Sequence, residues 1–209
     1  MDIYLDGKRL DDSAVQARTV ADLLAALRSA DADRLVVAIR FNGEAPAGAA
    51  MEALRGAELA QAGTLELETE SARQLAGRTL AEVSALLEQT RGHHSAVGEL
   101  LAGGRTVKAM ELLTASFSVW NAAEDSLQKA SRLVGLDLDR ADQGRHSPAR
   151  MIRDLRDHLQ RLKQGLQSRD FVAVGDLVEY EMPPLTEGWQ QMLAQLQETL
   201  RSRSSWPSA

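Results

Sequence analysis

Thr64-Leu65-Glu66-Leu67-Glu68-Thr69 alternates apolar and polar residues, the period of a half-buried strand. Past Ser71 the period changes. Leu80, Val83, Leu87, Thr90, His94, Val97 and Leu101 fall on alternating steps of three and four, the spacing of helices packed side by side. This change near residue 70 divides the chain. The N-terminal part reads as a small sheet with a helix, and the C-terminal part reads as long amphipathic helices. The expected fold class is α+β, with a sheet domain over 1–70, an antiparallel bundle of about four long helices over 71–203, and a flexible tail over 204–209.

Working back from Thr64, Ile3-Tyr4-Leu5-Asp6-Gly7-Lys8 alternates around Asp6-Gly7, a dipeptide that favours a tight hairpin. The second strand is expected somewhere through Ser13 to Ala17. Thr19 is placed to cap a helix, with Asp22 in its first turn and Val20, Leu23, Leu24 and Leu27 as its apolar stripe. Leu35-Val36-Val37-Ala38-Ile39-Arg40-Phe41 reads as a buried central strand closed by Asn42-Gly43. Residues 44–63, rich in Ala and Gly, show no period. Thr64–Thr69 is expected as an outer strand with Leu65 and Leu67 inward.

Hairpin, helix, strand, connection, strand is the order of a β-grasp domain. The segments Ile3 to Lys8, Thr19-Val20-Ala21-Asp22-Leu23-Leu24 and Val37-Ala38-Ile39-Arg40-Phe41-Asn42-Gly43-Glu44 resemble the ubiquitin-like sulfur carriers of thiamine and molybdopterin synthesis. The resemblance covers the first third of the chain. Carriers of that family act through a free Gly-Gly tail, whereas here Glu68-Thr69-Glu70 runs on into a helix. The resemblance therefore implies a scaffold for protein contacts, or a carrier relative that lost its tail.

Working forward, Ser71 is a cap for the first long helix, Gly103-Gly104 breaks it, and Thr106 is the next cap. Met110, Leu113, Phe117, Trp120, Glu124, Leu127 and Val134 continue the seam on a second helix. Gly135 to His146 is a polar connection. Ser147-Pro148 starts a third helix, with Ile152, Leu155, Leu159, Leu162 and Leu166 on its seam. Asp170 caps a fourth segment, which Pro183-Pro184 is expected to interrupt, since neither residue donates a helical hydrogen bond. Leu185, Trp189, Met192, Leu193, Leu196 and Leu200 resume the stripe. Stripes this wide on helices this long lead us to expect a homodimer.

Composition narrows the function classes. Net charge is −6, which disfavours a nucleic-acid binder relying on clustered Lys and Arg. Without cysteine there is no thiolate chemistry. Neither a secretory leader nor a membrane-length apolar run is visible, so a cytoplasmic protein without membrane contact is expected.

The chemical motifs fail on spacing. Adjacent His93 and His94 point about 100° apart on a helix and cannot share a metal. No histidine has Glu three residues before it, as di-iron helices require. In Asp137-Leu138-Asp139-Arg140-Ala141-Asp142 the calcium-loop pattern breaks at Ala141, at Asp142 and at Pro148. Asp154 and His158 share a helix face among arginines and read as a solvated ion pair. Ser126-Leu127-Gln128-Lys129 lacks its partner motifs.

No catalytic residue, cofactor or metal ligand is therefore assigned. The expected function is a non-catalytic interaction or adaptor protein, with itself and an unknown protein as partners. An export or assembly chaperone is the narrower alternative. A second class is an enzyme or metal protein whose His94, Glu124, Glu179 and Glu181 converge only in the fold. The segment Asp170 to Leu185 is densest in unusual choices, and Tyr180, Met182, Pro183, Pro184 and Trp189 form a candidate partner groove at the proline kink.

Overall fold

The computed structural model describes residues 1–10, 17–31, 33–140, 144 and 146–202. It divides the chain into two compact units, Met1–Gln74 and Leu75–Ala209. The class is α+β, with a small mixed four-stranded sheet followed by a mostly helical region.

In the N-terminal unit, Asp6 and Gly7 both take positive φ, 51° and 76°. That geometry matches the twist of the strands they join, β1 (Asp2–Leu5) and β2 (Lys8–Arg9). The second strand therefore comes earlier than expected. Residues 13–16 of the expected strand lie outside the described residues, and Ala17 is not in a strand. Helix α1 (Val20–Ala30) begins at a reciprocal cap: Thr19 Oγ1 accepts from the Asp22 N–H at 3.2 Å, and the Thr19 N–H donates to Asp22 Oδ2 at 3.0 Å. Strand β3 (Arg34–Phe41), helix α2 (Ala49–Gly56) and strand β4 (Thr64–Ser71) complete the unit.

The sheet order is β2-β1-β4-β3, with β4 parallel to β1 and antiparallel to β3. Two expectations are corrected here. The last strand is central, and the strongly apolar strand Leu35–Phe41 lies at the edge. Burial shows why: Leu65 and Leu67 are 0% and 1% exposed beneath Val20, Leu23 and Leu54 of the two helices, whereas no residue of β3 is fully buried. A long apolar run measures hydrophobicity but not the number of neighbouring strands. Helix α2 occupies the stretch without a period and contributes Leu54 to the core.

The helical unit contains α3 (Ala72–Ala102), α4 (Thr106–Leu133), α5 (Pro148–Ser168), α6 (Phe171–Asp176), a π turn (Leu177–Glu181) and α7 (Met182–Ser202). Ser71 caps α3 reciprocally with Gln74, both bonds at 3.1 Å. The seam residues Leu80, Val83, Leu87, Thr90, His94 and Val97 are all buried. Thr106 opens α4 as its first residue rather than capping it; Arg105 holds the cap position without a side-chain bond.

On α4, Leu113, Trp120 and Leu127 are buried, but Met110, Phe117, Glu124 and Val134 are only half-buried. The other buried places belong to Ala109, Ser116, Ala123 and Ala130, one small residue every seven, and to Ser131 beside the last of them. Small side chains let a neighbouring helix approach closely. Met151, Leu155 and Leu162 form the buried face of α5, with Ile152, Leu159 and Leu166 at its margins. Asp170 caps α6 by accepting from the Ala173 N–H at 3.0 Å.

The link after α4 is less polar than expected, because Leu136 and Leu138 pack against the helical core. Asp142 of the rejected calcium loop and the tail over 204–209 lie outside the described residues. Among the described residues, no helix is long and apolar enough to cross a membrane. Helices α3, α4, α5 and α7 share one buried core, so the seams are covered within one chain.

Candidate functional site

Pro183 and Pro184 do not interrupt the helix. They sit in the first turn of α7, where a missing N–H costs least, and the turn before them widens instead. The Met182 N–H reaches back five residues to the Leu177 carbonyl, which is the π spacing. Proline then stands both four and five residues after Glu179, so neither an α-type nor a π-type N–H is offered to the Glu179 carbonyl. Tyr180 has Pro184 four residues on.

The widened turn is pinned from inside. Met182 and Trp189 are buried, and Trp189 Nε1 donates to the Met151 carbonyl at 3.2 Å. Of the five residues of the expected groove, these two lie in the core. Pro183 is half-buried, and Pro184 is exposed, as is Tyr180 at 66%.

Tyr180 and Pro184 do meet at a surface depression of about 380 Å3, near the lower end of ligand-sized pockets. Its apolar floor comes from Met151, Leu185 and Gly188. A Cβ at Gly188 would lie 2.9 Å from Met151 Sδ and 3.4 Å from His146 Cδ2, so glycine permits the close approach there. Arg150, Asp154 and His158 project from α5 at four-residue intervals, one helix face, and form the wall opposite the π turn.

The charges around the depression are unequally satisfied. Glu181 takes a two-pronged contact from Arg161, one bond at 2.6 Å, and has His158 Nε2 at 3.3 Å. The Arg161 bonds hold the Glu181 carboxyl below its ordinary range. His158 Nδ1 lies 2.6 Å from the Asp154 carbonyl, so both ring nitrogens face oxygen acceptors. Asp154 is served less well. Arg150 Nε stands 3.7 Å from its carboxylate, and among the described residues no donor hydrogen-bonds that group. Tyr180 is held above its ordinary pKa, first by the charge of Glu179 and also by its hydrogen bond and by Asp176.

The four residues named for an enzyme or metal reading have separate neighbours. His94 is 2% exposed, neither ring nitrogen has a partner among the described residues, and burial lowers its pKa to about 4. Glu124 accepts from Arg156 and from Gln128. The Glu179 side chain lies over Gly98, and Glu181 is engaged by Arg161 and His158. Among the described residues, no three His, Asp or Glu side chains are grouped to hold a metal.

Sequence reasoning finds Tyr180 and Pro184 through their composition, but sets Asp154 and His158 aside as an ion pair. Asp154 instead faces Arg150, and His158 faces Glu181. The available signal is the four-residue recurrence of Arg150, Asp154 and His158.

No curated protein and no solved structure matches the chain. One family does match, over residues 78–192, a span that takes in every residue lining the depression. Since that span is more than half of the sequence, the chain belongs to the family described as a domain of unknown function, DUF8042.

Proposed function

We propose that this chain is a non-catalytic interaction protein that holds a docking depression on a rigid helical scaffold. The helical unit is read as an antiparallel four-helix bundle, which the single core shared by α3, α4, α5 and α7 supports. The N-terminal unit is read as a β-grasp module without a carrier tail. The order β2-β1-β4-β3 with a parallel central pair supports that reading.

One observation carries the functional reading. A helix is distorted at the surface, at Leu177–Glu181, while Met182 and Trp189 fix the same segment in the core. Bulges of this kind are frequent at functional sites. Here the bulge leaves an exposed aromatic ring at the edge of a preformed depression. The seams that suggest a homodimer are buried within the chain, so the proposal places partner contact at the depression.

The test is a photo-crosslinking residue at position 180, with position 129 on exposed α4 as the control, followed by reconstitution with the purified adduct partner. The expected result is one adduct specific to position 180, whose binding is lost in Tyr180→Ala while the melting temperature stays unchanged. Identical adducts from both positions, or full binding by Tyr180→Ala, would overturn the reading. An adduct of twice the chain mass identifies the partner as a second copy.

A further inference from the structure

The helical core holds a polar cluster of its own. Among the described residues, the buried side-chain nitrogens and oxygens without a hydrogen-bond partner are His93 Nδ1, both ring nitrogens of His94, Ser116 Oγ and Trp120 Nε1. Trp120 is fully buried, and His94 and Ser116 are each 2% exposed. None of these residues lines the depression. Native cores rarely leave such groups unmet, and here all of them fall on α3 and α4.

Helix geometry brings them to one stretch of the core. Counted from the break at Gly103-Gly104, His94 stands nine residues back along α3 and Ser116 twelve residues on along α4. At about 1.5 Å of rise per residue, helices that turn back on each other place the two within about 5 Å of the same height. Trp120 is one turn beyond Ser116 on the same face. From α7, Glu187 accepts from Arg91 at 2.8 Å and Gln190 donates to Glu88 at 2.8 Å, which sets that helix alongside residues 88–91 of α3. Trp189, from the same turn of α7, packs on Trp120. Thr90 and Thr186 are also buried in this stretch, but their hydroxyl hydrogens are committed to the Leu87 and Met182 carbonyls.

The chemistry of the unmet groups selects the ligand. The Trp120 indole offers only a donor, whereas the Ser116 hydroxyl both donates and accepts. Burial keeps the His94 ring neutral, with a pKa of about 4, so it presents one donor and one acceptor. Among the described residues, the only ionisable neighbour acting on His94 is His93, so neither a metal ion nor an anion finds a counter-charge there. A neutral molecule that donates and accepts equally is what remains, and the one small enough for a close-packed core is water. We infer that this stretch of the helical core binds ordered water, hydrogen-bonded to His94, Ser116 and Trp120.

The experiment records water-selective NOE and ROE spectra of the full-length, nitrogen-15-labelled chain at neutral pH. Trp189 is the internal control, since its indole is equally buried but donates to the Met151 carbonyl at 3.2 Å. The Trp120 indole proton should give a cross-peak to water with the sign of a long-resident molecule, and the Trp189 indole proton should give none. The peak should persist in Ser116→Ala, which removes the hydroxyl proton that would otherwise relay it by exchange. Absence of the Trp120 peak, an equal peak at Trp189, or loss of the peak in Ser116→Ala would each overturn the assignment.

Discussion

Trp120 of α4 and Trp189 of α7 meet edge to face, with ring centroids 5.5 Å apart and planes at 77°. Both are fully buried. Through Trp189 Nε1 the contact extends to the Met151 carbonyl on α5, so one aromatic joint ties three helices. Gly188 and Met151, which border the joint, are also the floor of the depression. Core stability and site geometry are therefore coupled at this point.

Replacing Trp120 with Ala should cost about 3–5 kcal/mol, the usual range for deleting a large buried aromatic. Trp189→Ala should cost a similar amount and also remove the indole bond to the Met151 carbonyl. A double-mutant cycle in urea should return a coupling of about 0.5–1.5 kcal/mol for the edge-to-face pair. An unchanged melting temperature in Trp120→Ala would contradict the packing.

His94 makes stability depend on pH. Burial, and next the neighbouring His93, lower its pKa from 6.5 to about 4 in the fold. The unfolded chain therefore binds a proton between those values that the folded chain refuses. Stability should be insensitive to this group above pH 6.5 and should fall as pH drops towards 4, by about 3 kcal/mol over the window. His94→Leu should remove that component, read as the difference between the two proteins in urea midpoints from pH 7 to pH 4.

Two helical glycines should respond in opposite directions. A Cβ at Gly165 would lie 2.7 Å from Val174 Cγ2, a buried and rotationally stiff side chain. Gly165→Ala should therefore cost about 1–3 kcal/mol. Gly92 on α3 has open space around its Cβ position, so Gly92→Ala should gain about 0.5–1 kcal/mol. Thermal melts of the two variants compare the signs directly.

Arg169 ends α5 in the left-handed conformation, φ 59°. Glycine adopts that conformation without a Cβ penalty, and Arg169→Gly should raise stability by about 1 kcal/mol. A lower melting temperature would mean that the arginine side chain contributes more than its backbone conformation costs.

The helical seams are legible because each large apolar residue declares its place through the period. The interleaved Ala109, Ser116, Ala123 and Ala130 are not, since small residues carry little hydropathy although they bury just as completely. Strand order escapes a reading of single segments because it depends on pairing between distant ones. The apolarity of Leu35–Phe41 says nothing about which strand lies beside it. Pro183-Pro184 draws attention to the right segment but suggests a break, when a first helical turn absorbs prolines readily. His158 faces Glu181 across two helical segments, and spacing within α5 cannot reveal that pairing.

The parallel pairing of β1 with β4 has a consequence during synthesis. Ile3 finds its partner only when Leu65 has been made, so the hairpin and α1 cannot close their sheet early. Until Ser71 has left the ribosome the unit lacks its middle strand, and a nascent chain stopped short of Thr64 offers Val20, Leu23 and Leu54 nothing to cover. Such long-range closure is slow beside helix formation, which makes this small unit the one most in need of protection while the chain is being translated.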